Sequence, residues 1–312
     1  MARLLGIAGV QMAPEPYDPQ ATLRKMESVV AQTSHMLPWV DMFIFPELIL
    51  DGLAQFVPGR DRKPPAESIP GPIADRLCAL AAHQRKWLIP GSMSERDGDA
   101  IYNTAIVISP NGQIVARYRK MFPWRPLEAC TPGDTFCTFE VPGVGLFGLC
   151  ICYDMWFPEV ARTLAWMGAE VILHPSLTAT SDRAVELVIS QANAIFNQCY
   201  FVDINGTGPF GGGRSVVVDP HGRVLQQADQ HETILTEILD LDLVSQAREL
   251  GTQGLSQTWK ALRDNPVYFP PYGEGLGNSA MVRQLGPMRY PQSLSSSKIT
   301  ARWVGSTGLR RQ

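Results

Sequence analysis

From the N-terminus, apolar runs of strand length alternate with segments of helical periodicity. Leu4–Met12 reads as a buried strand, Ala21–Thr33 as a helix, and Val40–Pro46 as a second strand ending at Glu47. Ile73–Gln84 predicts another helix and Trp87–Met93 another strand. This β-α-β-α rhythm predicts a mixed α/β fold in which helices cover sheets.

The middle of the chain turns β-rich. Ile101–Ser109 and Gln113–Tyr118 flank Pro110-Asn111-Gly112, and Asn-Gly between two apolar runs is a hairpin signal. The pattern returns where Ser215–Asp219 and Arg223–Gln226 flank Pro220-His221-Gly222. Either one hairpin is used twice, in two related sheets packed together, or Pro-x-Gly turns simply recur; the pattern alone favours neither. Between the hairpins lie strand-like Phe136–Glu140, Gly145–Ile151, Val171–His174 and Tyr200–Ile204. Two helices separate them, one from Pro158 to Met167 and one near Arg183–Asn197. The first has Pro in its opening turn beside Glu159, with Val160, Leu164 and Met167 on one face. Beyond Asp264 the chain is rich in Pro, Gly and Ser, which divides it into a domain over 1–264 and an extended arm over 265–312.

Charge changes the picture little. Lys plus Arg number 27 against 30 Asp plus Glu, with no basic block, so nucleic acid is not an expected partner. No apolar run is long enough to suggest a membrane span, and the N-terminus lacks a signal-peptide pattern, so the expected compartment is the cytoplasm. Six cysteines without framework spacing are expected to be free in a reducing compartment. The five histidines make no ligand pair at metal spacing, so no metal site is expected.

Three chemically capable residues follow predicted strands, where α/β active sites collect. An acid at the end of an apolar strand, such as Glu47, is poorly solvated and suits a general base; taken alone it reads better as a helix cap or an acid turned into water. Cys152 sits where a strand meets a Pro-started helix, a place that exposes the sulfur, favours a thiolate and offers backbone N–H groups to an oxyanion. A small buried hydrophobe is its plain alternative, and the one accepted for Cys78, Cys130, Cys137 and Cys199. Cys150 is expected to face the core from the same strand. Lys120, after Arg117-Tyr118-Arg119, reads alone as an exposed charge.

Together they read differently. Phe45-Pro46-Glu47, Tyr118-Arg119-Lys120 and Ile151-Cys152-Tyr153-Asp154 with Phe157-Pro158-Glu159 resemble the three catalytic motifs of the nitrilase superfamily, in its order. Their intervals also suit it, at 73 (120 − 47) and 32 (152 − 120). The resemblance spans roughly Leu4 to Leu250 and implies a four-layer α-β-β-α sandwich. It also implies homo-oligomers, dimeric or larger, built on a two-fold helix interface, often with exchanged C-terminal arms. Phe122-Pro123-Trp124-Arg125-Pro126-Leu127-Glu128 followed by Pro132-Gly133-Asp134 resembles the amidase form of the loop after the catalytic lysine, which makes Glu128 a second acid. Thr131 stands where many relatives carry an aromatic residue.

What the resemblance implies chemically is a Cys152 nucleophile, a Glu47 proton carrier, and an oxyanion held by Lys120 and the Tyr153 N–H. Glu128 would orient a small amide substrate, and no cofactor is needed. Tyr153-Asp154 looks like amidases, whereas nitrile-specific members usually carry Trp-Glu there. A carbamoyl hydrolase or a nitrilase remains the alternative within the family. Trp124, Trp156 and Phe157, with Phe210, are candidate pocket walls, although each also reads as plain core. A non-catalytic interaction module, or a thiol sensor using Cys150 and Cys152, is the competing class; the intact acid, base and thiol positions argue against it.

Overall fold

The computed structural model describes residues 2–51, 66–208, 211–265, 267–275, 279–285 and 287. The first half runs β1 (Leu4–Gln11), α1 (Pro19–Met36), β2 (Met42–Ile44), α2 (Pro72–Gln84), β3 (Trp87–Ile89), β4 (Ser92–Asp97), β5 (Ala100–Ile108) and β6 (Ile114–Arg119). The second half runs β7 (Cys137–Val141), β8 (Gly145–Leu149), α3 (Pro158–Trp166), β9 (Val171–Ser176), α4 (Arg183–Asn197), β10 (Tyr200–Asn205), β11 (Val216–Val218) and β12 (Val224–Gln227). β13 (Thr233–Asp240) and α5 (Leu241–Leu250) follow.

One sheet has the order β13-β1-β2-β3-β5-β4, with β6 also on β5; the other is β12-β11-β10-β9-β8-β7. Three buried clusters make the layers. Ile7, Met42, Ile44 and Val107 of the first sheet pack against Phe147, Leu149, Leu173 and Val202 of the second. Phe43, Leu88 and Ile106 turn outward to Leu23, Met26 and Val30 of α1 and Leu77 of α2. Ile172, Phe201 and Val216 turn outward to Val160 and Leu164 of α3 and Ala194 of α4. The fold is therefore the α-β-β-α sandwich. Strands covered on both faces need apolar residues at every position, which is why they read as unbroken runs.

The recurring hairpin is one plan used twice. β1, β2 and β3 are parallel neighbours, as are β8, β9 and β10. Each trio is then joined by an antiparallel hairpin, β5–β6 or β11–β12. The two turns close alike, with Gly112 N–H donating to Ser109 O (2.8 Å) and Gly222 N–H donating to Asp219 O (2.9 Å). Both ladders slip register at the same place, Val107/Ile108 and Val217/Val218.

Some boundaries differ from the sequence reading. The predicted strand Trp87–Met93 breaks at Gly91, whose φ of 75° and contact with Pro46 O exclude a side chain and turn the chain into β4. β13 was not foreseen, yet pairs with all eight residues of β1. In the arm, the described residues include short helices at Pro270–Glu274 and Ala280–Arg283 rather than extended chain alone; its remaining residues, like Phe210, lie outside the described set. No helix of the described residues is long and apolar enough to cross a membrane.

Candidate active site

The parallel strands of both sheets deliver their C-terminal ends to one place. Glu47 follows β2, Cys152 follows β8, and a backbone hydrogen bond from Glu47 N–H to Ser176 O (3.2 Å) ties the first loop to the end of β9. Lys120 is the first residue past β6. Its N–H donates to Asn103 O and its carbonyl accepts from Gly133 N–H, both at 2.8 Å, so the chain turns inward there. Arg119 instead reaches out to Glu95 and Asp97 on β4.

Lys120 is 1% exposed and lies between two buried acids. Its Nζ donates to Glu47 Oε1 (2.8 Å) and to Glu128 Oε2 (2.6 Å). Burial works against its charge, but Glu128 and Glu47 outweigh burial and hold the ammonium well above the usual lysine range. It is a fixed cation, unable to serve as a base at neutral pH. The Glu128 loop is fastened by its own backbone: Trp124 N–H donates to Glu128 Oε2, and Arg125 donates to the carbonyls of Glu128 and Cys130 (2.6 Å each).

Cys152 has a φ of 47°, the left-handed region that a β-carbon disfavours, and opens a 3-10 turn, Cys152–Trp156, ahead of α3. Its thiol lies within electrostatic reach of Glu47, Lys120, Glu186 and Glu128. Burial pushes the thiol up, Glu47 pushes it further, and Lys120 only partly opposes them. The thiolate expected from the helix start is therefore not what the surroundings favour. The surroundings favour a neutral thiol at Cys152. Cys150 faces the other way, into the core under α3.

Asp154 locks the Cys152 turn to the Lys120 loop. It accepts from Tyr118 Oη (2.7 Å), Ile151 N–H (2.9 Å) and Phe122 N–H (2.8 Å). Burial raises its carboxyl to about 6, against the pull of Lys120 and these donors. The candidate aromatics separate. Trp124 contributes backbone groups. Tyr153 packs edge-on to Phe157, which stacks on Phe122 with ring centroids 3.7 Å apart, and Trp156 Nε1–H donates to Glu186 (3.3 Å). Thr131 is exposed.

Several polar neighbours escaped the sequence reading. Asn103 Nδ2 donates to Glu47 (2.8 Å) and Glu128 (3.3 Å), while its Oδ1 is buried without a partner among the described residues. Its only signal was a polar break in an apolar strand. Thr178 Oγ1 lies 3.8 Å from Cys152 Sγ and donates to Glu186 (3.0 Å). Arg183 joins Glu186 (3.1 Å) to Asp203 (2.7 Å), and His174 bridges Asp203 and the Cys152 carbonyl (2.9 Å each). The signal for Arg183, Glu186, Ser190 and Asn193 was their helical spacing, a polar stripe on the buried face of α4.

Known proteins resemble this chain in sequence and in fold. The sequence model of the carbon-nitrogen hydrolase family matches residues 6–249. A formamidase of Bacillus cereus (strain Q1) is 30% identical over 270 residues, 79% of each chain. The omega-amidase NIT2 of Mus musculus is 32% identical over 200 residues, 59% of this chain and 72% of the relative. Among solved structures, a Glu-to-Gln mutant of the amidase from Nesterenkonia sp. AN1 is similar with a TM-score of 0.67 at 25% identity, over 79% of this chain and 94% of that one. That structure shows covalent addition of the acetamide moiety of fluoroacetamide at the active-site cysteine.

Proposed function

Because the chain belongs to the carbon-nitrogen hydrolase family and is an amidase-type enzyme, we propose that it hydrolyses a small linear amide through a thioester on Cys152. The observation that carries this reading is a half-buried thiol, held neutral by its surroundings, at a left-handed turn beside the Glu47–Lys120–Glu128 cluster. A neutral thiol is a poor nucleophile until its proton leaves, and Glu47 is the acid whose charge acts most strongly on it.

In this mechanism Glu47 takes the thiol proton as Sγ attacks the amide carbon. The carbonyl oxygen becomes an oxyanion held by the Lys120 ammonium and the Tyr153 N–H. The latter lies in the first turn of the 3-10 segment, where N–H groups lack an intrahelical acceptor. The intermediate collapses, the C–N bond breaks, and Glu47 returns the proton to the departing ammonia. Water activated by Glu47 then cleaves the thioester, releasing the carboxylic acid and the thiol. Glu128 and Asn103 orient the substrate NH₂ group and the water, with the open Oδ1 of Asn103 able to accept from the amide. No step needs a cofactor.

The formamidase and omega-amidase relatives direct the choice of substrates: short aliphatic amides, and dicarboxylic acids carrying one terminal amide. Ammonia release from such a panel is the test. Turnover of at least one amide is expected, with a Cys152 acyl adduct in mass spectra quenched during turnover. A protein that releases no ammonia from any of them, or that turns over with Cys152 replaced by Ala, refutes the reading. We also propose a homo-oligomer joined through the outer helical layer, where Trp166, Val188 and Phe196 are 75%, 64% and 61% exposed.

A further inference from the structure

We propose that His174 is a positioning residue for amide hydrolysis. As an imidazolium it donates Nε2–H to the Cys152 carbonyl, and thereby fixes and polarises the Cys152–Tyr153 peptide group whose N–H meets the oxyanion. The proposal rests on the thioester reading above.

The geometry requires two ring hydrogens. Nε2 lies 2.9 Å from the Cys152 carbonyl oxygen and Nδ1 lies 2.9 Å from Asp203 Oδ1. A carbonyl oxygen only accepts. Asp203 also only accepts while ionised, and its second oxygen takes hydrogen bonds from Arg183 Nη1 (2.7 Å) and Ser190 Oγ (3.1 Å). Burial would protonate Asp203, yet Arg183 and His174 hold it below the usual carboxylate range. Both ring nitrogens must then donate, so the ring is charged. The charged groups that face it are Asp203 from β10, and Arg183 and Glu186 from α4, with the Cys152 turn on the remaining side. Burial opposes the imidazolium, and Asp203 overcomes that, raising it above the ordinary histidine range.

The consequence runs through one peptide group. In a trans peptide the C=O and N–H point in opposite directions, so a donor that fixes the Cys152 carbonyl also fixes the Tyr153 N–H. A cationic donor draws electron density from that carbonyl and makes the N–H at the other end a stronger donor. It also braces a residue held at φ 47°. β9 is a buried strand in which every other side chain serves the inter-sheet core. His174 also lies beside Phe201, with ring centroids 5.4 Å apart, but that contact uses neither ring nitrogen; both are committed to an acid and to the Cys152 carbonyl.

Two measurements test this. In ¹⁵N-histidine-labelled wild-type protein at pH 7.5, the buried histidine should show both ring nitrogens protonated; a singly protonated ring overturns the proposal even if no variant folds. In His174→Gln, which keeps a neutral donor, kcat for an amide should fall about ten-fold or more with KM little changed. The rate of Cys152 modification by methyl methanethiosulfonate, a sulfur exchange that builds no oxyanion, should stay within about two-fold of wild type. A smaller fall in kcat, or an equal fall in the modification rate, overturns it. A wild-type protein that turns over no amide refutes the thioester reading instead, whereas wild-type turnover with an unaffected Gln variant refutes only the role of His174.

Discussion

Lys120→Met should reveal how strongly the two buried acids depend on one cation. The ammonium lies 2.8 Å from Glu47 and 2.6 Å from Glu128. With an effective dielectric of about 20, each contact is worth about 6 kcal/mol of attraction. Desolvating the three ions costs several kcal/mol apiece, so the intact cluster roughly breaks even. Removing only the cation leaves the cost without the gain, and the expected loss of stability is about 3–5 kcal/mol. Glu128→Gln is milder. The Trp124 N–H keeps an oxygen to donate to and Lys120 keeps Glu47, so about 1–2 kcal/mol is expected. In the double variant the second uncompensated carboxylate is gone, so the combined loss should fall short of the sum by at least ~1.5 kcal/mol. Urea denaturation of all four proteins at one fixed concentration measures the cycle, since subunit association would otherwise shift the midpoints. Losses that add within about 0.5 kcal/mol would refute the view of these three groups as one charge-coupled unit.

Other outcomes follow from the same geometry. Cys152→Ala should lower kcat by about 10⁴-fold or more, and Cys152→Gly should be more stable than Cys152→Ala by roughly 0.5–1 kcal/mol because glycine tolerates a φ of 47°; a more stable Ala variant contradicts the strained turn. Glu47→Gln should slow alkylation of Cys152 by a small haloamide greatly without preventing it, whereas Glu128→Gln should leave its rate within a few-fold of wild type while amide turnover falls; equal slowing in both would place Glu128 in the proton-transfer unit. Asp154 has a folded pKa of about 6 against an ordinary 3.8, so the stability it contributes is full below pH ~4 and lost as pH rises through 6. The stability of wild type relative to Asp154→Asn should therefore fall by about 2.5 kcal/mol between pH 4 and 7, and a gap that widens contradicts the sign. Tyr268, Phe269 and Tyr272 are 63%, 44% and 65% exposed; truncation after Asp264 should lower the oligomer mass by light scattering, and an unchanged mass rejects a role for the arm in assembly.

Glu47, Lys120 and Cys152 were legible because each follows a strand and lies in a short string that resembles a family motif. Asn103 and His174 were not, for a physical reason. Each is one of two polar residues in an otherwise mostly apolar strand, with Thr104 beside Asn103 and Ser176 two residues after His174, and a polar residue in a buried strand does not reveal whether its partner is water, backbone or another side chain. Their partners come from β2, β10, the Lys120 loop and the nucleophile turn, which are distant along the chain. α4 shows the same limit in another form. Its extent, Arg183–Asn197, is read from the sequence without error, but not its orientation. It buries Arg183, Glu186, Ser190 and Asn193 and exposes Val185, Val188 and Phe196, the reverse of an ordinary surface helix. Only the location of the active site explains the buried side, and only a covering partner would explain the exposed one.

That reversed helix also divides the labour around Cys152. On one side, Glu47 and Glu128 outnumber Lys120 by one charge. On the other, Arg183 and His174 are matched by Glu186 and Asp203. Of this second cluster, Glu186 is the member whose charge acts on the thiol; it is linked to it through Thr178 and opposes ionisation. In the proposed mechanism the thiol proton therefore leaves toward the first side, as the substrate arrives. Coupling deprotonation to attack in this way keeps a buried cysteine unreactive between turnovers. It also predicts that Glu186→Gln, which removes one opposing charge, makes Cys152 more reactive toward methyl methanethiosulfonate rather than less. A slower reaction in that variant would show that the α4 cluster helps to ionise the thiol, and would overturn this division.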